Sequence, residues 1–191
     1  IYVVTLFTGM REGEVLGLTW DCVDFKGGTI TIKQQLQKVR SSGGEYILAS
    51  TKNGKSRIIA PANYVMQLLT NQRKLQNSQR LKAGSAWSNP FNLVFTNALG
   101  RNLCAQTVYL HFKKLAAAAG VPSARFHDLR HSYAVAALRS GDDIKTVQEN
   151  LGHHTAAFTL DTYAHVTEQM RRESAHRMDS FIEGIQAKKQ A

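Results

Sequence analysis

Four segments of the chain gather arginine, lysine, histidine and tyrosine, which are residue types that can act on a phosphate group. In the first, Arg11 comes two residues after Gly9, and Glu14 follows three residues later, where its carboxylate can fix the guanidinium. In the second, Lys52 opens the tight turn 52–55, from which a lysine can enter a groove and donate a proton. Taken alone, each segment is better explained by a solvated arginine or by a basic surface turn.

The other two segments are rich in histidine. His127 and Arg130 are three residues apart, and His131 is four residues from His127, so a helix would place them on one face. Imidazole and guanidinium together can bind a phosphate oxygen and transfer a proton. His153 stands at an expected helix C-terminus, where a cationic imidazole is favoured, and Tyr163 follows ten residues later.

The composition favours a folded protein that binds a polyanion. The 191 residues carry 24 Lys and Arg against 14 Asp and Glu, a formal net charge of +10. Neutralising phosphates supplies most non-specific affinity for nucleic acid. No apolar run reaches the ~20 residues of a membrane span, and the two cysteines, without a CxxC pair, support neither a disulfide framework nor a zinc finger. We therefore expect a reducing, cytoplasmic setting.

The elements that must position these segments are mainly α-helical, with one small antiparallel sheet near the front. Apolar periodicity predicts helices over residues 1–8, 12–18, 62–82, 106–119, 127–139, 143–151 and 167–184. Runs rich in β-branched and apolar residues predict strands over 29–32, 46–49 and 57–60, with a short one over 93–95. Because Asn-Gly in the turn 52–55 favours a hairpin, we expect the strands on either side of it to pair within a three-stranded sheet.

The helical periodicity also predicts which residues face the core. The expected core-facing residues are Val65, Leu68, Leu69, Gln72, Val108, Phe112, Leu115, Ala119, Ile144, Val147 and Leu151. No linker or internal repeat divides the sequence, so one domain is expected. The chain opens with Ile1, already inside an apolar periodic segment, which predicts that a further segment precedes it.

The order and spacing of the four segments are more informative about function than any one segment. The chain contains, in order, TGMREGEVLGLTW, TKNGKSRII, HDLRHSYA and LGHHTAAFTLDTYAHV. This series strongly resembles the catalytic domain of the tyrosine recombinase (phage-type integrase) family from residue 1 to about residue 183. The resemblance implies an α+β fold, mainly helical with a small three-stranded antiparallel sheet, over 1–191. It also implies that the family's N-terminal DNA-binding domains lie outside this chain.

The resemblance implies a full set of catalytic residues. They are Arg11, Lys52, His127, Arg130, His153 and Tyr163. It implies that Tyr163 attacks a scissile phosphate of double-stranded DNA and forms a 3′-phosphotyrosyl link, which a 5′-hydroxyl later resolves. Two guanidiniums can clamp the charge that builds on the phosphate oxygens. His127 is the candidate base for the tyrosine, and Lys52 the candidate acid for the leaving oxygen. Because the phosphotyrosine keeps the bond energy, no ATP, metal or other cofactor is expected.

Contacts beyond the reaction centre are also expected. Four basic residues are predicted to contact the DNA backbone: Lys38, Arg40, Lys55 and Arg57. Lys55 lies in the same turn as Lys52 and is an alternative for its role. By resemblance, the C-terminal helix 167–184 packs on a neighbouring protomer and couples the tyrosine to a homotetramer on two duplexes. Without DNA and the upstream domains, we expect this chain to be a monomer.

Three alternatives stand beside this interpretation. A type IB topoisomerase has a similar constellation of Arg, Lys, Arg, His and Tyr, and shares the cleavage chemistry. A zinc hydrolase would use the ligand spacing of His127 and His131, with His153 or His154 completing the site. Arg130, however, would repel that metal. A DNA-binding regulator without catalysis is disfavoured because no catalytic position is missing.

Overall fold

The computed structural model describes residues 1–39, 44–51, 54–153, 172 and 174–186. The chain divides into two units, Ile1–Tyr133 with Asn150–Gly152, and Ala134–Glu149 with His153–Ala191. Within the described ranges, none of the helices combines the length and the apolar character needed to cross a bilayer.

The described part of the first unit contains four α-helices and the beginning of a fifth. They are α1 (Tyr2–Thr8), α2 (Glu12–Leu16), α3 (Asn63–Ala83), α4 (Ala105–Ala118) and the beginning of α5 (Asp128–Arg139). Each stands where apolar periodicity predicts it. Helix α2 ends two residues earlier than expected, because the Leu18 carbonyl leaves the helix and accepts a hydrogen bond from the Val94 N–H (2.8 Å).

The described residues of the first unit include five short strands, which form two sheets rather than one. They are β1 (Val23–Asp24), β2 (Thr29–Ile32), β3 (Gln34–Lys38), β4 (Tyr46–Ser50) and β5 (Arg57–Ile59). The order β1-β2-β5 forms the three-stranded antiparallel sheet, and β3 and β4 form a separate pair. The predicted three-stranded sheet is therefore present, with β1 in the place that we expected β4 to take.

The expected hairpin between the strands at 46–49 and 57–60 is wrong. Strand β4 pairs with β3 along its whole length, and β5 pairs with β2. The chain still turns between them, because the Gly54 N–H donates to the Thr51 carbonyl at 2.8 Å, but this turn joins two different sheets. The partner β3 escaped prediction because its sequence QQLQK lacks β-branched residues. The predicted strand 93–95 is only an isolated bridge between Leu93 and Thr19.

The core of the first unit lies between the three-stranded sheet and the helices. Ile30 and Ile32 alternate inward along β2 and are buried, and Val65 and Leu69 of α3 belong to the same cluster. Helix α4 buries Val108, Phe112 and Ala116, which follow one another at four-residue spacing. Leu115, expected in the core, is 45% exposed, and Ala119 is exposed as well. The buried face of α4 is therefore formed by residues that are four positions apart.

The second unit contains the end of α5, most of α6 (Ile144–Leu151) and a helical stretch at residues 174–186. The Asp143 carboxylate caps α6 by accepting the N–H groups of Lys145 and Thr146 at 2.9 and 3.0 Å. Val147 is buried, as predicted, whereas Ile144 is only half-buried. The predicted C-terminal helix 167–184 agrees with the helical stretch from residue 174 onward, and residues 167–171 lie outside the described residues.

Candidate active site

The first segment holds Arg11 at the start of α2 by a short, closed set of contacts. The backbone N–H of Arg11 donates to Glu14 Oε2 (2.8 Å), and its Nη1 donates to Glu14 Oε1 (2.9 Å). Glu14 is 1% exposed, so this carboxylate is an internal anchor, as the three-residue spacing predicted. Gly9, with φ of 64°, has no room for a side chain, because a Cβ there would lie 2.5 Å from Tyr133 Cδ1.

Arg130 on α5 is almost fully buried, with 3% of the residue exposed. Its Nη1 donates to the Gly9 carbonyl and its Nη2 to the Leu151 carbonyl, both at 2.6 Å. A buried guanidinium with fixed partners cannot turn freely, so its orientation is set. This gives Arg130 the preorganisation that stabilisation of a charged transition state needs.

Three arginines meet at the C-terminal end of α6, where a helix leaves its last carbonyls without partners inside the helix. Arg57 Nε donates to the Asn150 carbonyl at 2.8 Å. Arg130 Nη2 donates to the carbonyl of the next residue, Leu151, at 2.6 Å, and Arg11 Nη2 donates to the Gly152 carbonyl at 3.2 Å. We call Arg11, Arg57 and Arg130 the arginine cluster. The negative end of the helix dipole favours cations at this place.

Sequence reasoning put Arg11 and Arg130 in one site, but it missed the carbonyls that hold them. The available signal was Gly152, which follows the last residue of α6 and adopts φ of 64°. Such a glycine ends a helix, and the carbonyls of the last helical turn that have no partner inside the helix can accept from donors outside it. Cationic groups elsewhere in the sequence were the natural partners.

Arg57 has a different place from the one that we expected. Its side chain is only 11% exposed, and its two terminal nitrogens donate to Glu14 Oε1 and Oε2 at 2.9 and 2.7 Å. Together with the contact to Asn150, three donors of this guanidinium are used inside the protein. These internal contacts argue against the expected contact of Arg57 with the DNA backbone. The signal was its position two residues before buried Ile59, on the inward face of a strand.

The histidines of the third segment lie side by side. His127 directly precedes α5, and its ring meets that of His131 edge-on, with centroids 4.9 Å apart. Partial desolvation of the ring lowers the pKa of His127, and the nearby His131 and Arg130 lower it further. A lowered pKa keeps the imidazole neutral at neutral pH, which is the form that accepts a proton.

His153 follows the arginine-binding end of α6 directly in the chain. Its backbone N–H donates to the Gln148 carbonyl at 3.1 Å, and its own carbonyl accepts from Gln148 Nε2 at 3.2 Å. These two bonds fix the backbone at the residue that the fourth segment singled out.

The remaining candidates divide between the surface and the undescribed part of the chain. Lys38 and Lys55 are exposed. Lys52, Arg40 and Tyr163, together with His154, lie outside the described residues. Among the residues that are described, no group of three or more His, Cys, Asp or Glu is arranged to hold a metal ion. The zinc-hydrolase alternative therefore has no ligand set in that part of the chain.

The fold is that of site-specific DNA recombinases and integrases. The chain superposes on the Tn1549 transposon integrase, solved in complex with transposon right end DNA, with a TM-score of 0.75 and 24% identity over 93% of this chain and 57% of that one. It superposes on the XerH site-specific recombinase, solved with a palindromic difH substrate, with a TM-score of 0.62 and 25% identity over 91% of this chain and 43% of that one. A sequence model of the phage integrase family matches residues 2–170. The chain belongs to this family.

Curated relatives agree with this family. A tyrosine recombinase XerC-like protein of Caldanaerobacter subterraneus subsp. tengcongensis is 31% identical over 95% of this chain and 49% of its own length. The integrase of Staphylococcus phage L54a is 25% identical over 94% of this chain and 51% of its own length. The chain thus spans about half the length of these relatives.

Proposed function

We propose that this chain is the catalytic part of a site-specific DNA recombinase that breaks and rejoins strands through a tyrosine. The observation that carries the proposal is the pair of guanidiniums, Arg11 and Arg130, anchored on the neighbouring carbonyls of Gly152 and Leu151. Two fixed guanidiniums can bind the non-bridging oxygens of one phosphate, where negative charge builds during in-line attack. Family membership supplies the reaction class that fits this arrangement.

The reaction begins with Tyr163. Its phenolic oxygen attacks the scissile phosphorus, so that a phosphorus–Oη bond forms while the bond to the 5′-oxygen breaks. The phenol proton goes to His127, whose lowered pKa keeps it available as a base. Lys52 gives a proton to the departing 5′-oxygen, and His153 supplies a further donor to the phosphate. The 5′-hydroxyl of a second strand then attacks the phosphotyrosine and restores the tyrosine, so no external energy source is consumed.

The partner is double-stranded DNA, as in the integrase and recombinase complexes to which the fold is similar. Lys38, at the end of β3, and Lys55, in the turn after Thr51, are exposed and contact the DNA backbone, together with Arg40. Their positive charge neutralises phosphates without reading the bases. The protein acts in the bacterial cytoplasm, since the relatives come from bacteria and their phages.

Assembly depends on the C-terminal helix. Residues 174–186 expose four large apolar side chains, Met178, Phe181, Ile182 and Ile185. Their spacing of three and four residues places them on one helix face. We assign this face to a neighbouring protomer in a homotetramer on two DNA duplexes, with the isolated chain a monomer. Sedimentation with and without DNA tests the assignment.

Trapping a covalent intermediate tests the central proposal. The protein is incubated with supercoiled plasmid in EDTA, quenched with SDS and examined for protein attached to DNA, with Tyr163→Phe as the control. An adduct that requires Tyr163 and forms in EDTA is the expected result. Because this chain alone could bind DNA too weakly to react, the same test is repeated with the protein that includes its upstream region, on its own nicked site. No adduct there, or one that survives Tyr163→Phe, would contradict the proposal.

A second experiment separates a recombinase from a type IB topoisomerase. A topoisomerase relaxes supercoils through one protein on one duplex, whereas a recombinase joins strands from two duplexes. Recombinant products from two differently marked plasmids support the recombinase. Efficient relaxation with no recombinant product would favour the topoisomerase.

A further inference from the structure

Arg57 is the one member of the arginine cluster that the reaction proposed above does not use. It lies on the inward face of β5, and its side chain is 11% exposed. Both terminal nitrogens donate to Glu14, and Nε donates to the Asn150 carbonyl. Each of the three nitrogens of this guanidinium thus donates a hydrogen bond within the protein itself.

Glu14 connects Arg57 to Arg11. Its Oε1 accepts from both arginines at 2.9 Å, while its Oε2 accepts from Arg57 Nη2 at 2.7 Å and from the Arg11 backbone N–H at 2.8 Å. Burial raises the pKa of Glu14, but hydrogen bonds and charge from Arg57, with a smaller contribution from Arg11, outweigh it and hold the pKa below its ordinary value. Arg57 therefore supplies most of what keeps this buried carboxylate charged.

The end of α6 is shaped to receive Arg57. A Cβ on Gly152 would lie 3.0 Å from Arg57 Nη1 and 3.2 Å from its Cδ. The glycine that ends α6 thus leaves the space that Arg57 fills. The Gly152 carbonyl also accepts a hydrogen bond from Arg11 Nη2. The position of Gly152 therefore affects the placement of both Arg11 and Arg57.

We propose that Arg57 is a positioning residue, which locks Glu14 and the end of α6 in place so that Arg11 is held in the orientation that clamps the phosphate. This inference rests on the proposed function, in which Arg11 contacts the scissile phosphate. Arg57 itself touches neither substrate nor reacting atoms. Misplacing a group by about 1 Å can cost about 100-fold in rate, even when the change lies away from the chemistry.

Kinetics on DNA distinguish this role from a direct contact with the backbone. We compare Arg57→Met, Arg57→Lys and Glu14→Gln with the unchanged protein, and use Arg80→Met, which removes an exposed arginine of α3, as the matched control. At saturating DNA, Arg57→Met should slow adduct formation by about 10- to 100-fold, while DNA affinity and its salt dependence stay unchanged. Loss of affinity with a shallower salt dependence would instead make Arg57 a phosphate contact and overturn the proposal.

Two readouts separate positioning from a general loss of folding. In Arg57→Met the pKa of Glu14 rises, so the loss of rate should deepen as the pH falls, whereas Arg57→Lys, which keeps one charged donor, should recover part of the rate. The double variant Arg57→Met/Glu14→Gln should form the adduct only slightly more slowly than Arg57→Met, because both substitutions act through Arg11. A pH-independent loss, no recovery with lysine, or fully additive effects would contradict the proposal.

A measurement without DNA keeps the inference testable if no adduct ever forms. The carboxyl carbon of Glu14 is titrated by NMR in the purified protein and in Arg57→Lys, which retains a positive charge and is the variant more certain to fold. The Glu14 pKa should rise in the variant, and the guanidinium signal of Arg11 should broaden as its orientation is lost. Unchanged signals would overturn the positioning role, whatever the reaction of the protein proves to be.

Discussion

Two groups of basic residues in this chain are used in opposite ways. The arginine cluster is turned inward, and each member donates to a carbonyl at the end of α6. Lys38 and Lys55 are exposed, and neither forms an ion pair with an Asp or Glu in the described ranges. Each of these residues contributes one positive charge to the formal total of +10, yet the surroundings of the two groups differ completely.

The difference teaches that a net charge does not say which charges face a ligand. A buried guanidinium has a fixed direction but has few donors left, which suits the recognition of a single phosphate. An exposed lysine is mobile and strongly hydrated, which suits the neutralisation of a polyanion at many points. Substitutions in each group separate these two uses.

Removing the buried acid should have the largest effect on stability. Glu14→Gln leaves the side chain of Arg57, which is 11% exposed, without its counter-charge, and breaking one partner of a buried pair costs about 3–5 kcal/mol. We expect the free energy of unfolding in urea to fall by about 3 kcal/mol at neutral pH. A fall below about 1 kcal/mol would mean that the cluster behaves like a surface pair.

The same variant has a defined pH dependence. The pKa of Glu14 is lowered in the folded protein, so its contribution to stability is present above the pKa of the unfolded chain. That contribution is lost as the pH falls through the lower, folded pKa. The difference between the unchanged protein and Glu14→Gln should therefore shrink on acidification. Unfolding curves at neutral and acidic pH check this, and a constant difference would contradict the assigned shift.

Replacing Arg130 by lysine should break catalysis. Lysine keeps the charge but cannot donate in two directions from a planar group, so it cannot bind the carbonyls of Gly9 and Leu151 and a phosphate together. We expect adduct formation to slow by about 10²- to 10³-fold. The rate at saturating DNA is the measurement, and Arg139→Lys, at the end of the same helix, is the control. A loss that extra DNA repairs would mean that Arg130 serves binding alone.

The contrast between the two groups of basic residues also shows how much of the site could be predicted from the sequence. Helix periodicity predicted the elements of the site, and motif spacing predicted that Arg11 pairs with Glu14. The pairing of β5 with β2 and the binding of three arginines at the end of α6 join residues far apart in the chain, and Arg57 and Asn150 are separated by 93 positions. Such contacts depend on tertiary packing, which no local pattern encodes. Even so, an arginine on the inward face of a strand signalled a buried acid partner.

The exposed lysines should affect binding far more than stability. The double variant Lys38→Ala/Lys55→Ala removes two phosphate contacts, so the slope of log affinity against log salt should fall by about 2. The melting temperature should stay within error, because both side chains are exposed. Affinity for non-specific duplex DNA at several salt concentrations measures the slope. An unchanged slope would place the DNA surface elsewhere, and Lys33→Ala, which removes a lysine paired with Asp21, is the control.

The smallest expected effect isolates burial as the cause of the difference. Glu149→Gln makes the same chemical change as Glu14→Gln, but its pair with Lys145 on α6 is 3.3 Å long and both side chains are about two-thirds exposed, at 65% and 67%. Water already solvates both charges, so we expect the free energy of unfolding to change by less than about 0.5 kcal/mol. If both variants lost the same stability, ion pairing itself would be the cause. A large loss from Glu14→Gln alone would show that an acidic side chain stabilises this chain where its ion pair is buried, because water cannot solvate the partner charge there.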